Sequence, residues 1–127
     1  MLRTLRRTDP LVLLVEDDDG LRQAVVRGLT KAGFLVAAAG SRREALESAR
    51  QIDPDAVVMD VMLPDGQGPA VAEEIRRQDG HGALPVLFVT AQAPAAIRDS
   101  LFPAPVLFKP FTYRQLVASV RDLVRAR

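Results

Sequence analysis

Short apolar runs alternate along the chain with longer amphipathic segments. Five runs of three to six residues are apolar without alternation and end at a turn or a polar side chain; they are Leu11 to Val15, Phe34 to Ala39, Ala56 to Met59, Pro85 to Val89 and Val106 to Phe108. Unbroken apolar runs of this length, rich in valine, predict strands that are buried on both faces. Such strands are typical of a parallel sheet.

The segments between these runs carry the periodicity of helices. Leu21, Val25 and Leu29 recur at intervals of four residues, which predicts the first helix. The second helix is predicted to begin after Ser41, whose hydroxyl would cap it, with Glu44 completing a capping box.

Prolines and a threonine mark the remaining helices. Pro69 lies near the first turn of a predicted third helix, and prolines confine the fourth helix to Ala95 to Phe102 at most. Thr112 is predicted to cap the last helix, whose inner face carries Leu116, Val120 and Leu123. A second apolar stripe on that helix is either a wider core face or a surface for a partner; it consists of Tyr113, Val117 and Val124. Strand and helix alternate five times, so the pattern predicts an α/β domain with a parallel sheet.

Composition narrows the class of protein without naming its chemistry. A chain of 127 residues has the usual size of one domain, and we expect an N-terminal tail over residues 1–10 followed by one domain over residues 11–125. The absence of cysteine excludes disulfides and thiolate metal sites. A net charge of +1 gives no general attraction to nucleic acid. No apolar run is long enough to span a bilayer, and no signal peptide is evident, so we expect a cytoplasmic protein without membrane contact.

Polar residues follow four of the predicted strands at the point where each strand ends. Glu16 and Asp17 follow the first strand, Asp60 the third, Thr90 the fourth and Lys109 the fifth. Ligand sites of open parallel sheets lie outside the carboxyl ends of the strands. Side chains from four distant segments are therefore predicted to converge at one edge of the sheet.

The residue types at this edge indicate the chemistry of the site. Three carboxylates require a cation, and oxygen ligands without histidine or cysteine favour Mg²⁺. A carboxylate is also a nucleophile toward phosphorus, with an aspartyl phosphate as the product. A lysine ammonium and a threonine hydroxyl suit the oxygens of a phosphoryl group. Asp60, Lys109 and Thr90, together with Mg²⁺, are therefore predicted to form a phosphoryl-transfer site.

Turn chemistry is the alternative explanation for the four consecutive acids after the first run. An acid at the start of a helix accepts a backbone hydrogen bond and meets the positive end of the helix dipole. Such a turn explains one acid or two. We assign this role to Asp18 or Asp19, which leaves Glu16 and Asp17 for the metal site.

Four motifs occur in a fixed order along the chain: LLVEDD, VVMDVMLPDGQG, LFVTAQ and LFKPF. With these motifs, the sequence from about Val12 to Leu123 resembles the receiver (response regulatory) domain of bacterial two-component signalling. The resemblance implies a doubly wound, flavodoxin-like (βα)5 fold, whose five parallel strands lie in the order 2-1-3-4-5.

The resemblance also implies roles for the acids and for one backbone carbonyl. Asp60 matches the aspartate that takes a phosphoryl group from a phosphohistidine. Asp17 matches a direct ligand of Mg²⁺ or Mn²⁺, and Glu16 matches an acid that acts mainly through water. Met62 occupies the position whose backbone carbonyl is a further metal ligand.

The remaining matched positions concern the switch. Thr90 matches the switch hydroxyl, Ala91 the small residue that leaves room for the phosphoryl group, and Lys109, followed by Pro110, the phosphate-binding lysine. Val106 departs from the family, which usually has an aromatic residue there that swings inward on phosphorylation; valine cannot make that swing. The segment from Thr90 to Lys109 is also short and proline-rich, as in receivers attached to hybrid sensor kinases, so we expect an altered output face around the fourth helix.

Partners follow from the same resemblance. A histidine kinase or a histidine phosphotransfer protein would load Asp60, and a downstream protein target would read the change in conformation. Few residues follow Leu123, so we expect no DNA-binding output domain. A homodimer would form through the fourth helix, fifth strand and fifth helix. Receivers catalyse their own phosphorylation and dephosphorylation, and we expect no further enzymatic activity.

Two other functions stay open. A phosphorylation-independent interaction module with a vestigial site is favoured by Val106 and the short fourth helix, whereas the full set of phosphorylation residues argues against it. A Mg²⁺-dependent phosphohydrolase of the haloacid dehalogenase type would need an acid two residues after the nucleophile, and Met62 occupies that position.

Overall fold

The computed structural model describes residues 9–91, 101 and 103–125. The predicted fourth helix therefore lies outside the described residues except for Leu101, which is buried. The predicted N-terminal tail lies outside them up to residue 8.

Strands and helices alternate along the chain as the sequence predicts. The strands are β1 (Leu11–Val15), β2 (Leu35–Ala39), β3 (Ala56–Asp60), β4 (Met62–Leu63), β5 (Gly66–Gln67), β6 (Val86–Thr90) and β7 (Val106–Phe108). The helices in the described ranges are α1 (Asp19–Lys31), α2 (Arg42–Gln51), α3 (Gly68–Arg76) and α4 (Tyr113–Arg125). Here α4 is the last of the helices predicted from the sequence. None of these four helices has the length and hydropathy needed to cross a membrane.

Five of the strands form one parallel sheet in the order β2-β1-β3-β6-β7. Counted over these five strands alone, the order is 2-1-3-4-5, so the predicted doubly wound topology is confirmed. The remaining two strands, β4 and β5, pair antiparallel as a small separate hairpin directly after β3. Nothing in the sequence pattern predicted this hairpin.

The core has two layers, one on each face of the sheet. On one face, Leu13 and Val15 of β1 pack in a cluster with residues of α2 and α3. On the other face, Val12 and Leu14 pack in a cluster with residues of α1 and α4. Alternate side chains of β1 thus enter different cores, which explains why the run is apolar without alternation.

The predicted N-cap side chains are in place, but the Glu44 carboxylate accepts the N–H of Gly40 at 2.6 Å rather than that of Ser41, so the predicted capping box is shifted by one residue. The carboxylate of Asp18 accepts the N–H of Leu21 at 2.8 Å, which decides between the two acids considered for this role. The hydroxyl of Ser41 accepts the N–H of Glu44 at 3.2 Å. The hydroxyl of Thr112 likewise caps α4, through the N–H of Gln115 at 3.0 Å.

The second apolar stripe on α4 is divided between core and surface. Val117 is buried, Val124 is half-buried and Tyr113 is exposed. The Tyr113 ring nevertheless lies against α1, because a β-carbon added at Gly28 would be 3.1 Å from its Cδ1 atom. Val117 therefore belongs to the buried core face of α4, whereas Tyr113, at the start of α4, covers part of α1.

The connection between α3 and β6 is anchored by two side chains that the sequence analysis left without a role. His81 is only 5% exposed, and its ring Nε2 lies 2.6 Å from the carbonyl oxygen of Ala49 in α2. Because a carbonyl only accepts hydrogen bonds, Nε2 carries the proton in this contact. The Gln78 amide donates to the carbonyl oxygen of Leu46 at 3.1 Å. The carbonyl of Ala49 is one of the last four of α2, which the helix itself leaves unpaired, and that of Leu46 lies about one turn earlier.

The hairpin is held against β3 by a close backbone approach at Gly68. The N–H of Gly68 donates to the carbonyl oxygen of Val61 at 2.7 Å. A β-carbon at this position would overlap the carbonyl oxygen of Asp60 and lie 3.0 Å from the Cα of Val61. Both obstacles are backbone atoms, so only glycine fits without a shift of the chain beside Asp60.

We therefore expect Gly68→Ala to lower the free energy of unfolding by about 2–3 kcal/mol, because a fixed backbone must move to admit the methyl group. Urea unfolding followed by circular dichroism measures this change. Gly82→Ala is the matched control, since no heavy atom lies within 4 Å of the added carbon. That control should change the stability by less than about 1 kcal/mol. Equal effects of the two substitutions would contradict the close approach.

Candidate functional site

The carboxyl edge of the sheet brings together the polar residues that the strand ends predict. Glu16 and Asp17 follow β1, Asp60 ends β3, Thr90 ends β6 and Lys109 follows β7. β1, β3, β6 and β7 are consecutive neighbours in the sheet, so their ends lie side by side. Strand order therefore places residues from four distant parts of the sequence at one site.

Lys109 is the centre of this site. Its Nζ atom lies 2.9 Å from a carboxylate oxygen of Glu16 and 3.3 Å from Oδ2 of Asp60. Glu16 is 3% exposed and Asp60 is 8% exposed, whereas Asp17 is exposed. Carboxylate oxygens of Glu16, Asp17 and Asp60, one from each, lie within 4.8 Å of one another.

Backbone groups hold the two buried carboxylates in position. The N–H of Met62, in the hairpin, donates to Oδ1 of Asp60 at 3.1 Å. The N–H of Asp18 donates to Oε2 of Glu16 at 3.1 Å. Each carboxylate thus has one oxygen on a backbone N–H and the other on Lys109. These contacts fix the carboxylates against their mutual repulsion.

Arg22 supports the acidic loop, although nothing in the sequence pattern indicated this role. Its guanidinium, on α1, donates to the carbonyl oxygen of Glu16 at 2.9 Å and lies 3.4 Å from that of Asp17. The guanidinium also pairs with Asp19. The loop that carries two of the three acids is therefore tied to the helix that follows it.

Burial and charge act in opposite directions on Glu16 and Lys109. Burial raises the pKa of Glu16 from 4.5 to about 7, and the nearby Asp60 carboxylate adds to the rise, although hydrogen bonds from Lys109 and Asp18 oppose it. Burial alone would lower the pKa of Lys109. The hydrogen bond to Glu16 and the charge of Asp60 outweigh burial and raise the pKa of Lys109 above its ordinary value. The metal-free site therefore holds more negative charge than one ammonium can neutralise.

The donor set suits a divalent cation with a preference for oxygen. Three carboxylates face one lysine, which leaves a deficit of two positive charges when all are ionised. The chain has no cysteine, and its single histidine, His81, lies in the connection before β6, beyond the other end of that strand. Hard oxygen ligands without nitrogen or sulphur fit Mg²⁺ or Mn²⁺. The residues present therefore fit the predicted metal.

Thr90 and Ala91 lie at the carboxyl end of β6, next to Lys109, whereas Val106 begins β7 and pairs with Phe88. Thr90 is 2% exposed, and its carbonyl oxygen accepts the N–H of Lys109 at 2.8 Å. Ala91 is exposed directly after Thr90. Val106 is half-buried on β7, and the peptide bond between Lys109 and Pro110 is cis.

Comparison with known proteins places these features in a family. Residues 12–121 match the model of the response regulator receiver domain. The chain is 37% identical over 123 residues to the transcriptional regulatory protein PrrA of Mycobacterium tuberculosis, covering 94% of this chain and 52% of PrrA. It is 37% identical over 119 residues to the sensor kinase CckA of Brucella abortus, covering 89% of this chain and 12% of CckA. The chain thus spans about half the length of PrrA and a small part of CckA.

Solved structures show the same fold. The chemotaxis protein CheY4 of Vibrio cholerae is 27% identical, with a TM-score of 0.85, and covers 91% of this chain and 99% of its own. The receiver domain of the sensor histidine kinase PA1611 from Pseudomonas aeruginosa PAO1 was solved with a magnesium ion coordinated in its active site cleft. It is 27% identical, with a TM-score of 0.83, and covers 93% of this chain and 99% of its own.

The raised pKa of Glu16 gives a pH dependence of stability. The pKa of Glu16 is about 7 in the folded protein without a metal, and 4.5 is the ordinary value of a glutamate in an unfolded chain. Between these values the folded state holds the proton and the unfolded state does not, so stability falls as the pH rises. From pH 5 to pH 7, we expect Glu16 to remove about 1–2 kcal/mol from the free energy of unfolding. Urea unfolding in the presence of a chelator measures this loss.

Glu16→Gln is the control for this pH dependence, because the amide keeps the shape of the side chain but does not titrate. Its unfolding free energy should change less between pH 5 and pH 7 than that of the wild type. Parallel curves for the two proteins would show that another group is responsible.

Proposed function

Because this chain belongs to the response regulator receiver domain family of two-component systems, we propose that Asp60 accepts a phosphoryl group from a phosphohistidine. The donor is a histidine kinase or a histidine phosphotransfer protein in the cytoplasm, and a downstream protein target reads the result. The observation that carries this proposal is the Lys109 ammonium, held between Glu16 and Asp60 at 2.9 Å and 3.3 Å at the edge of the sheet.

The transfer step is a displacement at phosphorus. A carboxylate oxygen of Asp60 forms the new P–O bond while the P–N bond to the donor imidazole breaks. The electron pair of the P–N bond stays on the imidazole nitrogen, which takes up a proton. The N–H of Met62 holds one oxygen of Asp60, which limits the orientations that the nucleophile can adopt.

The residues around Asp60 stabilise the charge that the phosphoryl group brings. Lys109 is close enough to Asp60 to move from the carboxylate to a phosphoryl oxygen. The hydroxyl of Thr90, buried at the end of β6, donates to another oxygen, and the small side chain of Ala91 leaves room beside it. These groups already lie at the carboxyl edge of the sheet before the reaction, so a short movement of Lys109 is the main reorganisation needed.

Asp17, Asp60 and the backbone carbonyl of Met62 would hold a Mg²⁺ or Mn²⁺ ion, and Glu16 would act on it through water. The bound ion supplies positive charge to the phosphoryl oxygens and neutralises the acidic cluster. Its binding also favours the ionised form of Glu16, whose pKa burial raises in the metal-free site.

A second function is favoured by one observation at the output side. Val106 is half-buried at the position where the family usually carries a mobile aromatic residue. A receiver without that residue must signal by another movement, or else binds its partner irrespective of phosphorylation. The alternative is therefore an interaction module with a vestigial site, and a homodimer is one form such binding takes.

Phosphorylation separates the two functions. Incubation of the chain with a small-molecule phosphodonor and Mg²⁺ should add one phosphoryl group by intact mass. Asp60→Asn and the omission of Mg²⁺ should each abolish the gain. Asp79→Asn is the matched control, because Asp79 is an exposed aspartate in the connection before β6, and it should be phosphorylated like the wild type. A folded wild type that gains no mass would favour the interaction module.

Lys109→Met tests the role of the ammonium. The substitution removes the positive charge nearest to the transferred group, and we expect the rate of phosphorylation to fall about 100-fold. Lys31→Met is the control, because Lys31 is the only other lysine of the chain and lies exposed at the end of α1. Equal rates for the two variants would remove Lys109 from the mechanism.

A further inference from the structure

The hairpin that follows Asp60 is tied to α2 by one exposed carboxylate in its turn. The two oxygens of Asp65 accept the N–H groups of Arg42 and Arg43, at 2.7 Å and 3.1 Å. These are the first two N–H groups of α2, which a helix cannot pair within itself. Ser41, the residue before the helix, pairs the N–H of Glu44 instead. Asp65 therefore completes the N-terminal cap of a helix that lies more than 20 residues earlier in the sequence.

The charge of Asp65 strengthens this connection. The positive end of the α2 dipole faces the carboxylate, and both hydrogen bonds are charge-assisted. The hydrogen bond from Arg42 is the main cause that keeps the pKa of Asp65 below its ordinary value. Asp65 thus stays ionised, and the connection stays intact, across the neutral pH range.

The side chain of Arg42 lies between the same turn and α3. Its Nε donates to Glu74 of α3 at 2.9 Å, and its second nitrogen also pairs with that carboxylate. A β-carbon added at Gly66 would lie 3.0 Å from the Cδ atom of Arg42, so the hairpin rests on the arginine stem. α2, α3 and the turn of the hairpin are therefore joined through Arg42 and Asp65.

The first strand of the hairpin reaches the site. Met62 donates its N–H to Oδ1 of Asp60 at 3.1 Å, and its carbonyl is the proposed backbone ligand of the metal. The side chain of Met62 is 51% exposed and gives this backbone little anchorage. Val61 and Leu63, on either side of Met62, are buried, and beyond them the position of Met62 depends on the neighbouring strand β5 and on the turn between the strands, where Asp65 lies.

We infer that Asp65 is a positioning residue for the metal site: by holding the hairpin turn on the start of α2, it keeps the N–H of Met62 on Asp60 and the carbonyl of Met62 where a divalent cation binds. The part that concerns the cation rests on the proposed function. The part that concerns the Met62 N–H does not, because that hydrogen bond is made without the metal.

Two measurements on the full chain test this role. The first is the dissociation constant of Mg²⁺ by isothermal titration calorimetry. Supporting groups outside the ligand shell typically change metal affinity by about 10–100-fold, and we expect Asp65→Ala to raise the constant about tenfold. The second is amide hydrogen exchange of Met62 in the metal-free protein, which should be faster in Asp65→Ala. Loss of overall stability also speeds amide exchange, so the exchange at Met62 must rise more than that of the core amides of β1 for the positioning role to hold.

Two variants separate geometry from charge. Asp65→Asn loses the same charge as Asp65→Ala but keeps one acceptor oxygen, so its Mg²⁺ affinity and Met62 exchange should lie between those of the wild type and Asp65→Ala. Asp79→Ala removes one exposed carboxylate in the connection before β6 and should leave both values unchanged. If Asp65→Ala does not fold, the comparison of Asp65→Asn with Asp79→Ala carries the test.

The outcomes are distinct. Weaker Mg²⁺ binding with faster Met62 exchange in the Asp65 variants alone supports the positioning role. Affinity and exchange like those of Asp79→Ala would overturn it. A wild type that binds no Mg²⁺ would defeat the proposed function, and the exchange of the Met62 amide would then still decide whether Asp65 holds the hairpin.

Discussion

The structure depends on the electrostatic balance around Lys109. Three carboxylates meet at one edge of the sheet, two of them buried, and like charges at such distances repel strongly when water is excluded. One ammonium between Glu16 and Asp60 offsets part of that repulsion, and backbone N–H groups offset more. Burial, and after it the charge of Asp60, raises the pKa of Glu16, and the negative charge that is left unneutralised favours a cation. The same imbalance that destabilises the site without a metal therefore favours a cation, and the proposed phosphoryl transfer needs that added positive charge.

Much of the fold was predictable because strands buried on both faces of a sheet are apolar at every position. The runs that became β1, β3 and β6 are apolar without interruption, and their ends carry Glu16, Asp60 and Thr90. Topology then brings those ends together, so the candidate site was predictable from strand order. The caps at Ser41 and Thr112 were predictable for a similar reason, since each is a local contact within four residues.

The contacts that the sequence did not reveal join exposed or loop residues over long distances in the chain. Asp65 binds the start of α2, and His81 binds near its end, yet each looks like an ordinary turn residue among glycines. Neither contact produces periodicity, because a single polar side chain meets a single backbone group. Arg22 likewise resembles any arginine on a helix surface until the acidic loop folds back over it. Such residues require the tertiary structure to be recognised.

The attachment of α2 at both ends has a mechanical consequence. The helix is fixed at its start by the hairpin turn and near its end by the connection before β6. Because hydrogen bonds hold α2 near both ends, the helix cannot slide along its axis or rotate about it without breaking at least one of them. α2 is therefore restrained at both of its ends. In the proposed receiver, we therefore expect a displacement that begins at Asp60 to act through Lys109, whose N–H is bonded to the carbonyl oxygen of Thr90, rather than through α2.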